Sequence, residues 1–143
     1  MSDKQQDVMA ILKLYELRRD PAMREARKWF TAEFRPTSPM DIIKILVENK
    51  QEGVYFRMVT SYWDMATSFV INGGIDEKIF LGANTEHIAI YSKLQPFLGE
   101  LRQIINEDDY LLNLEKLVTS IPNIDVRLEK RRQLFEKWAE NKG

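Results

Sequence analysis

Apolar residues recur at helical spacing along nearly the whole chain. Residues 4–18 place Val8, Ile11, Leu12 and Tyr15, with Leu14 less squarely, on one broad stripe, the period of an amphipathic helix. Asp20-Pro21 then reads as a cap followed by proline in the first helical turn. The helix it opens runs to about Phe34, with Ala22, Ala26, Trp29, Phe30 and Glu33 on one side and Arg24, Arg27 and Lys28 on the other. Arg35-Pro36-Thr37 predicts a break, because the residue before proline is pushed out of helix. Ser38-Pro39 repeats the cap signal and opens a short helix of Ile42, Ile43, Leu46 and Val47 that weakens near Gly53.

The most apolar element runs from about Val54 to Asn72. Tyr55, Met58, Val59, Tyr62, Ala66, Phe69 and Val70 form its expected inward face. Arg57, Ser61, Asp64 and Ser68 follow one another on the opposite side. Asn72-Gly73-Gly74 suits a glycine C-cap better than a hairpin, since its flanks have no alternating pattern. A short turn of helix from Ile75-Asp76-Glu77 closes at Gly82. A long helix of about residues 85–106 follows, carrying Ile88, Ala89, Tyr91, Ser92, Gln95, Leu98 and Leu101. Pro96 lies inside it and should kink or split it. Asp108 and Asp109 look like the start of a helix with Leu111, Leu112, Leu114, Leu117 and Val118, broken at Ile121-Pro122. The last helix, from Ile124 to about Asn141, has Leu128, Leu134, Phe135 and Trp138 as apolar anchors. No strand pattern competes. The expectation is an all-α irregular bundle of about six to eight helices, one domain over residues 1–143, around a central aromatic-rich helix at about 54–72.

Composition narrows the chemistry. The 143 residues contain no cysteine and one histidine, His87, which excludes thiol nucleophiles, disulfides and a two-histidine metal site within the chain. The polar stretch from Met1 to Asp7 does not read as a secretion signal. The longest apolar stretch, Val54 to Ile71, is interrupted by Arg57 and Asp64, so a core helix is expected there rather than a membrane span. A cytoplasmic location follows as an expectation.

The net charge is −1, but its distribution is uneven: +2 over residues 1–60, −6 over 61–125 and +3 over 126–143. The sequence pI of about 5.9 argues against a nucleic-acid partner. The basic amphipathic last helix, with Arg127, Lys130, Arg131, Arg132 and Lys137, is expected to dock on the acidic middle of the same chain, ahead of a membrane or an acidic partner.

No catalytic motif stands out. His87, in the first turn of a helix, reads as a packing or capping residue whose pKa is lowered by the helix dipole. Asp76-Glu77 and Glu107-Asp108-Asp109 read as acids complementing helix starts. No metal site and no cofactor is expected. The candidate ligand-binding residues are Arg57, Ser61, Trp63, Asp64 and Ser68, because charges on a surrounded helix must pair or line a wet cavity.

Two blocks resemble an uncharacterised bacterial family catalogued as a domain of unknown function. One is Asp20-Pro21-Ala22-Met23-Arg24-Glu25-Ala26-Arg27-Lys28. The other joins Tyr62-Trp63-Asp64-Met65-Ala66, Gly74-Ile75-Asp76, the run from Tyr91 to Leu98, and Arg102. The resemblance spans roughly residues 8–105 and implies a helical fold without known catalytic residues. Members of that family often carry a membrane span ahead of the helical part, and no such span is visible here. The resemblance leaves the function open; the amphipathic ends, the abundant aromatic and Met residues and the lack of a catalytic set make a non-enzymatic protein-interaction module the expectation, with a homo-oligomer or another protein as partner. The alternative is a small-molecule-binding domain with a polar pocket near Arg57 and Asp64.

Overall fold

The computed structural model describes residues 3–48 and 50–142, without the side chain of Lys142. Met1 and Ser2, part of the polar start, lie outside the described residues. Among those described there are eight α-helices and no strand: α1 (Asp3–Arg18), α2 (Pro21–Ala32), α3 (Pro39–Val47), α4 (Gln51–Ile71), α5 (Glu77–Ala83), α6 (Glu86–Ile105), α7 (Leu112–Thr119) and α8 (Ile124–Lys142). The two cap-and-proline signals act where the sequence places them, whereas Thr85, at the N-cap of α6, makes no side-chain cap bond. Asp20 accepts from the amides of Ala22 and Met23, Ser38 from Asp41, and Asp76 from Ile79. Gly73, at φ 82°, closes α4: its amide bonds to Val70 O and that of Gly74 to Phe69 O, the two-bond pattern that a left-handed residue makes possible.

The aromatic α4 lies in the middle, packed against α2, α3, α5 and α7, while α6 packs against α3, α7 and α8. Phe30, Phe34 and Phe56 join α2, its following loop and α4 through ring centroids 4.8 and 5.5 Å apart. Because α2 and α7 cover α4 from different sides, its buried arc is wider than a single stripe. Phe56, Thr60, Trp63 and Thr67 are buried, and Phe69, expected inside, is exposed. In α2, Met23 takes the inward place expected of Ala22, which is exposed. The stripe of α1 also turns out differently. Leu14 is its buried residue, and Val8, Leu12 and Tyr15 face outward.

Side chains from neighbouring helices complete many helix ends, where backbone groups lack partners within their own helix. Lys93 of α6 donates to the carbonyls of Phe30, Thr31 and Phe34 at the end of α2, at 2.7, 3.1 and 2.7 Å. Arg27 reaches Arg18 O at the end of α1, and Tyr62 donates its hydroxyl to Leu14 O at 2.6 Å. Pro96 does not split α6, which runs unbroken through it. A proline at that position leaves the Ser92 carbonyl without its amide donor. Arg132 of α8 donates to that carbonyl through Nε at 3.0 Å and also bonds to Gln95.

The last helix thus packs on the middle segment, but through Leu128 and Arg132. Among the described residues no ion pair joins α8 to an acid of residues 61–125, as its charge had suggested.

Candidate functional site

The polar stripe of α4 is where the sequence places it, and its two charges reach in different directions. Arg57 donates through Nη2 to Leu46 O at 2.6 Å, in the last turn of α3. Asp64 accepts from the Leu114 amide at 3.1 Å and from the Asn113 side chain at 3.3 Å, in the first turn of α7. The signs suit the helix dipoles: a cation at a C-terminus and an anion at an N-terminus. The second contact answers a local need. Helix α7 does not begin at Asp108-Asp109. Asn106 and Glu107 close α6, with Asn106 left-handed at φ 57°, and Leu111, at the N-cap of α7, has no side chain able to cap. Asp64 supplies that cap from another helix.

Arg57, Ser61 and Asp64 also line an open groove of about 760 Å³ together with Thr60, Glu107 and Tyr110. Sequence reasoning missed Thr60, one turn before Asp64, and took Glu107 only as a helix-start acid. Burial pushes the Tyr110 hydroxyl above its ordinary pKa. The structure does not bring the other two candidates into this groove. Ser68 bonds back to Met65 O, and Trp63 lies in the core on the other side of α4.

Trp63 belongs to a second polar cluster. Its indole donates to Glu86 at 3.0 Å, Arg27 Nε reaches both Glu86 oxygens at 3.1 and 3.0 Å, and Arg18 stands 4.0 Å away. Glu86 sits in the first turn of α6, where an acid also faces the positive end of the dipole. Next to it His87 is fully buried, between Trp63 and Phe80 at ring distances of 5.6 and 5.3 Å. Neither ring nitrogen has a hydrogen-bond partner among the described residues. Burial first, and then the positive charges of Arg127, Arg131 and Arg18, pull its pKa down to about 4. The ring is neutral at neutral pH, with burial as the chief cause.

Beside this cluster, Pro21, Arg24, Glu25, Arg27, Lys28 and Glu86 border a cleft of about 570 Å³. Among the described residues, no group of three or more histidines or carboxylates is placed to hold a metal ion. Asp76 is instead the cap of α5. No helix among them is long and apolar enough to cross a membrane.

A family model described as a domain of unknown function, DUF4760, matches residues 5–121, and the chain belongs to that family. None of the curated proteins and none of the solved structures compared with the chain matches it.

Proposed function

We propose that this member of the DUF4760 family is a non-enzymatic protein-interaction module, acting as one helical domain. The observation that carries the reading is the outer face of α1. Val8, Met9, Leu12 and Tyr15 are 45–55% exposed on neighbouring turns. Scattered exposed apolar residues are ordinary, whereas a contiguous apolar face is one that a partner protein can cover. The engaged polar side chains support the same reading, because exposed Arg57 and half-buried Asp64, Lys93 and Arg132 are held by backbone groups at helix ends or beside Pro96. Affinity capture with wild-type chain and with a Met9→Glu/Leu12→Glu variant tests it. A partner, or a second copy, retained by the wild type and lost by the variant is the expected result. Equal capture by both would remove α1 from the account.

One observation favours a second reading, binding of a small polar molecule in the Arg57–Ser61–Asp64 groove: its volume lies within the ordinary range for ligand pockets. Asp64 is a poor probe of that idea because it also caps α7. Ser61 is exposed and bonds only to Arg57 O of its own helix, so Ser61→Trp would fill the groove with little effect on the fold. Loss of a retained small molecule in that variant would support the reading, and unchanged retention would dismiss it.

A further inference from the structure

The two basic segments of the sequence, one in α2 and one in α8, come together in the fold. Helices α2 and α8 pack against each other, and Lys93 ties them, donating to the end of α2 while lying 4.3 Å from the Phe135 ring centroid of α8. Arg24 and Lys28 project from α2 into the cleft beside Glu86. Arg127 and Arg131 lie on α8, the helix that packs against α2.

These four cations differ from Arg27, which Glu86 neutralises. None of them makes an ion pair among the described residues. Arg24, Lys28 and Arg127 are exposed, and Arg131 is half-buried. Along α8, the positions 127, 131, 134 and 138 share one stripe, so the two arginines continue into Leu134 and Trp138, which are 37% and 49% exposed. The surface therefore offers positive charge at one end and an apolar, aromatic strip at the other.

We propose that this α2–α8 face docks an acidic, amphipathic segment of a partner protein, its carboxylates on Arg24, Lys28, Arg127 and Arg131 and its apolar side chains on Leu134 and Trp138. The inference rests on the interaction-module reading and names the chemistry of one partner. Charge complementarity selects the occupant. A long nucleic acid would also meet the field of the −6 middle segment. Glu25 on the border of the cleft disfavours an unbroken run of negative charge and suits a segment whose acids are spaced.

The test uses the full chain, a random glutamate–tyrosine copolymer as acidic-aromatic probe, poly-glutamate as purely acidic control, and phosphatidylglycerol vesicles. At low ionic strength the copolymer should bind more tightly than poly-glutamate, and added salt should weaken both. Reversing Arg24, Lys28, Arg127 and Arg131 to Glu should weaken copolymer binding by about tenfold or more, and Trp138→Ser should narrow the gap between the two polymers. Should the reversed variant lose its helical circular dichroism, the corresponding four Gln substitutions take its place, with the same direction expected. No binding of the copolymer, wild-type binding by a folded charge variant, or tighter binding to vesicles than to copolymer would overturn the proposal. The Met9→Glu/Leu12→Glu variant separates the two claims. It should bind copolymer as the wild type does, and a failure here with α1-dependent association intact would leave the module reading standing.

Discussion

Arg132 stands in for the backbone amide that Pro96 lacks. The Ser92 carbonyl, four residues before the proline, receives the Arg132 Nε at 3.0 Å, from a helix 40 positions away in sequence. A buried carbonyl without a partner costs about 1–3 kcal/mol, and a bond from a charged donor contributes at the upper end of the usual range. The same contact fastens α8 to α6, so a helix-breaking residue in one element becomes the attachment point of another.

Positions 96 and 132 should therefore be energetically coupled. Arg132→Met should lower stability by about 1–3 kcal/mol in the wild-type background. In a Pro96→Ala background position 96 regains its amide, and the same substitution should cost clearly less. Chemical denaturation of the four proteins of the cycle measures this, and additive losses would mean that the carbonyl is not what joins the two residues.

Asp64 should behave as the cap of a helix to which it does not belong. Asp64→Ala is expected to cost about 1 kcal/mol, the ordinary loss for a removed cap. Hydrogen exchange at the Leu114 amide should accelerate more than at amides in the middle of α4. Unchanged exchange at Leu114 would refute the assignment.

Two glycines should respond with opposite signs. A Cβ on Gly53 would stand 2.7 Å from the Ile45 backbone oxygen, where α3 and α4 approach closely, whereas one on Gly99 meets nothing within 4 Å. Gly99→Ala should stabilise α6 by up to about 1 kcal/mol through helix propensity. Gly53→Ala gains the same propensity but forces the two helices apart, with a net loss of about 1 kcal/mol or more. Thermal melting of both variants decides the matter.

His87 should make the fold sensitive to mild acid. Its folded pKa is about 4, against 6.5 for a free histidine. Below pH 6.5 the unfolded chain takes up a proton that the folded chain refuses, so stability is full above that pH and declines as pH falls toward 4. The loss over the window is on the order of 3 kcal/mol. His87→Phe keeps an aromatic ring between Trp63 and Phe80 and should flatten the profile between pH 5 and 6.5. An unchanged slope in that variant would assign the acid sensitivity elsewhere.

Local signals in the sequence account for the helices and most of their ends. Asp20-Pro21, Ser38-Pro39, Asp76 and Gly73 act on their own neighbours, and a cap needs no knowledge of the rest of the fold. The inner face of α4 was only partly legible, because a helix covered on two sides buries Thr60 and Thr67, which no apolar stripe includes. The outward turn of Val8, Leu12 and Tyr15 escaped for a related reason: periodicity shows that a face is apolar and not what covers it. The start of α7 was misplaced because Asn106 and Glu107 close α6 first, and because its capping carboxylate comes from Asp64, 50 residues earlier. In the candidate groove, Arg57, Ser61 and Asp64 were legible as one stripe, whereas Tyr110 reaches it only through the fold.

Native mass spectrometry of the purified chain beside its Met9→Glu/Leu12→Glu variant decides whether the chain works by association, since it reports assembly mass and any retained small molecule together. The wild-type chain should carry a second copy or a co-purifying protein, and the variant should run as a bare monomer. A wild-type monomer with a reproducible small excess mass, shared by the variant, would contradict the interaction module and move attention to the Arg57–Asp64 groove.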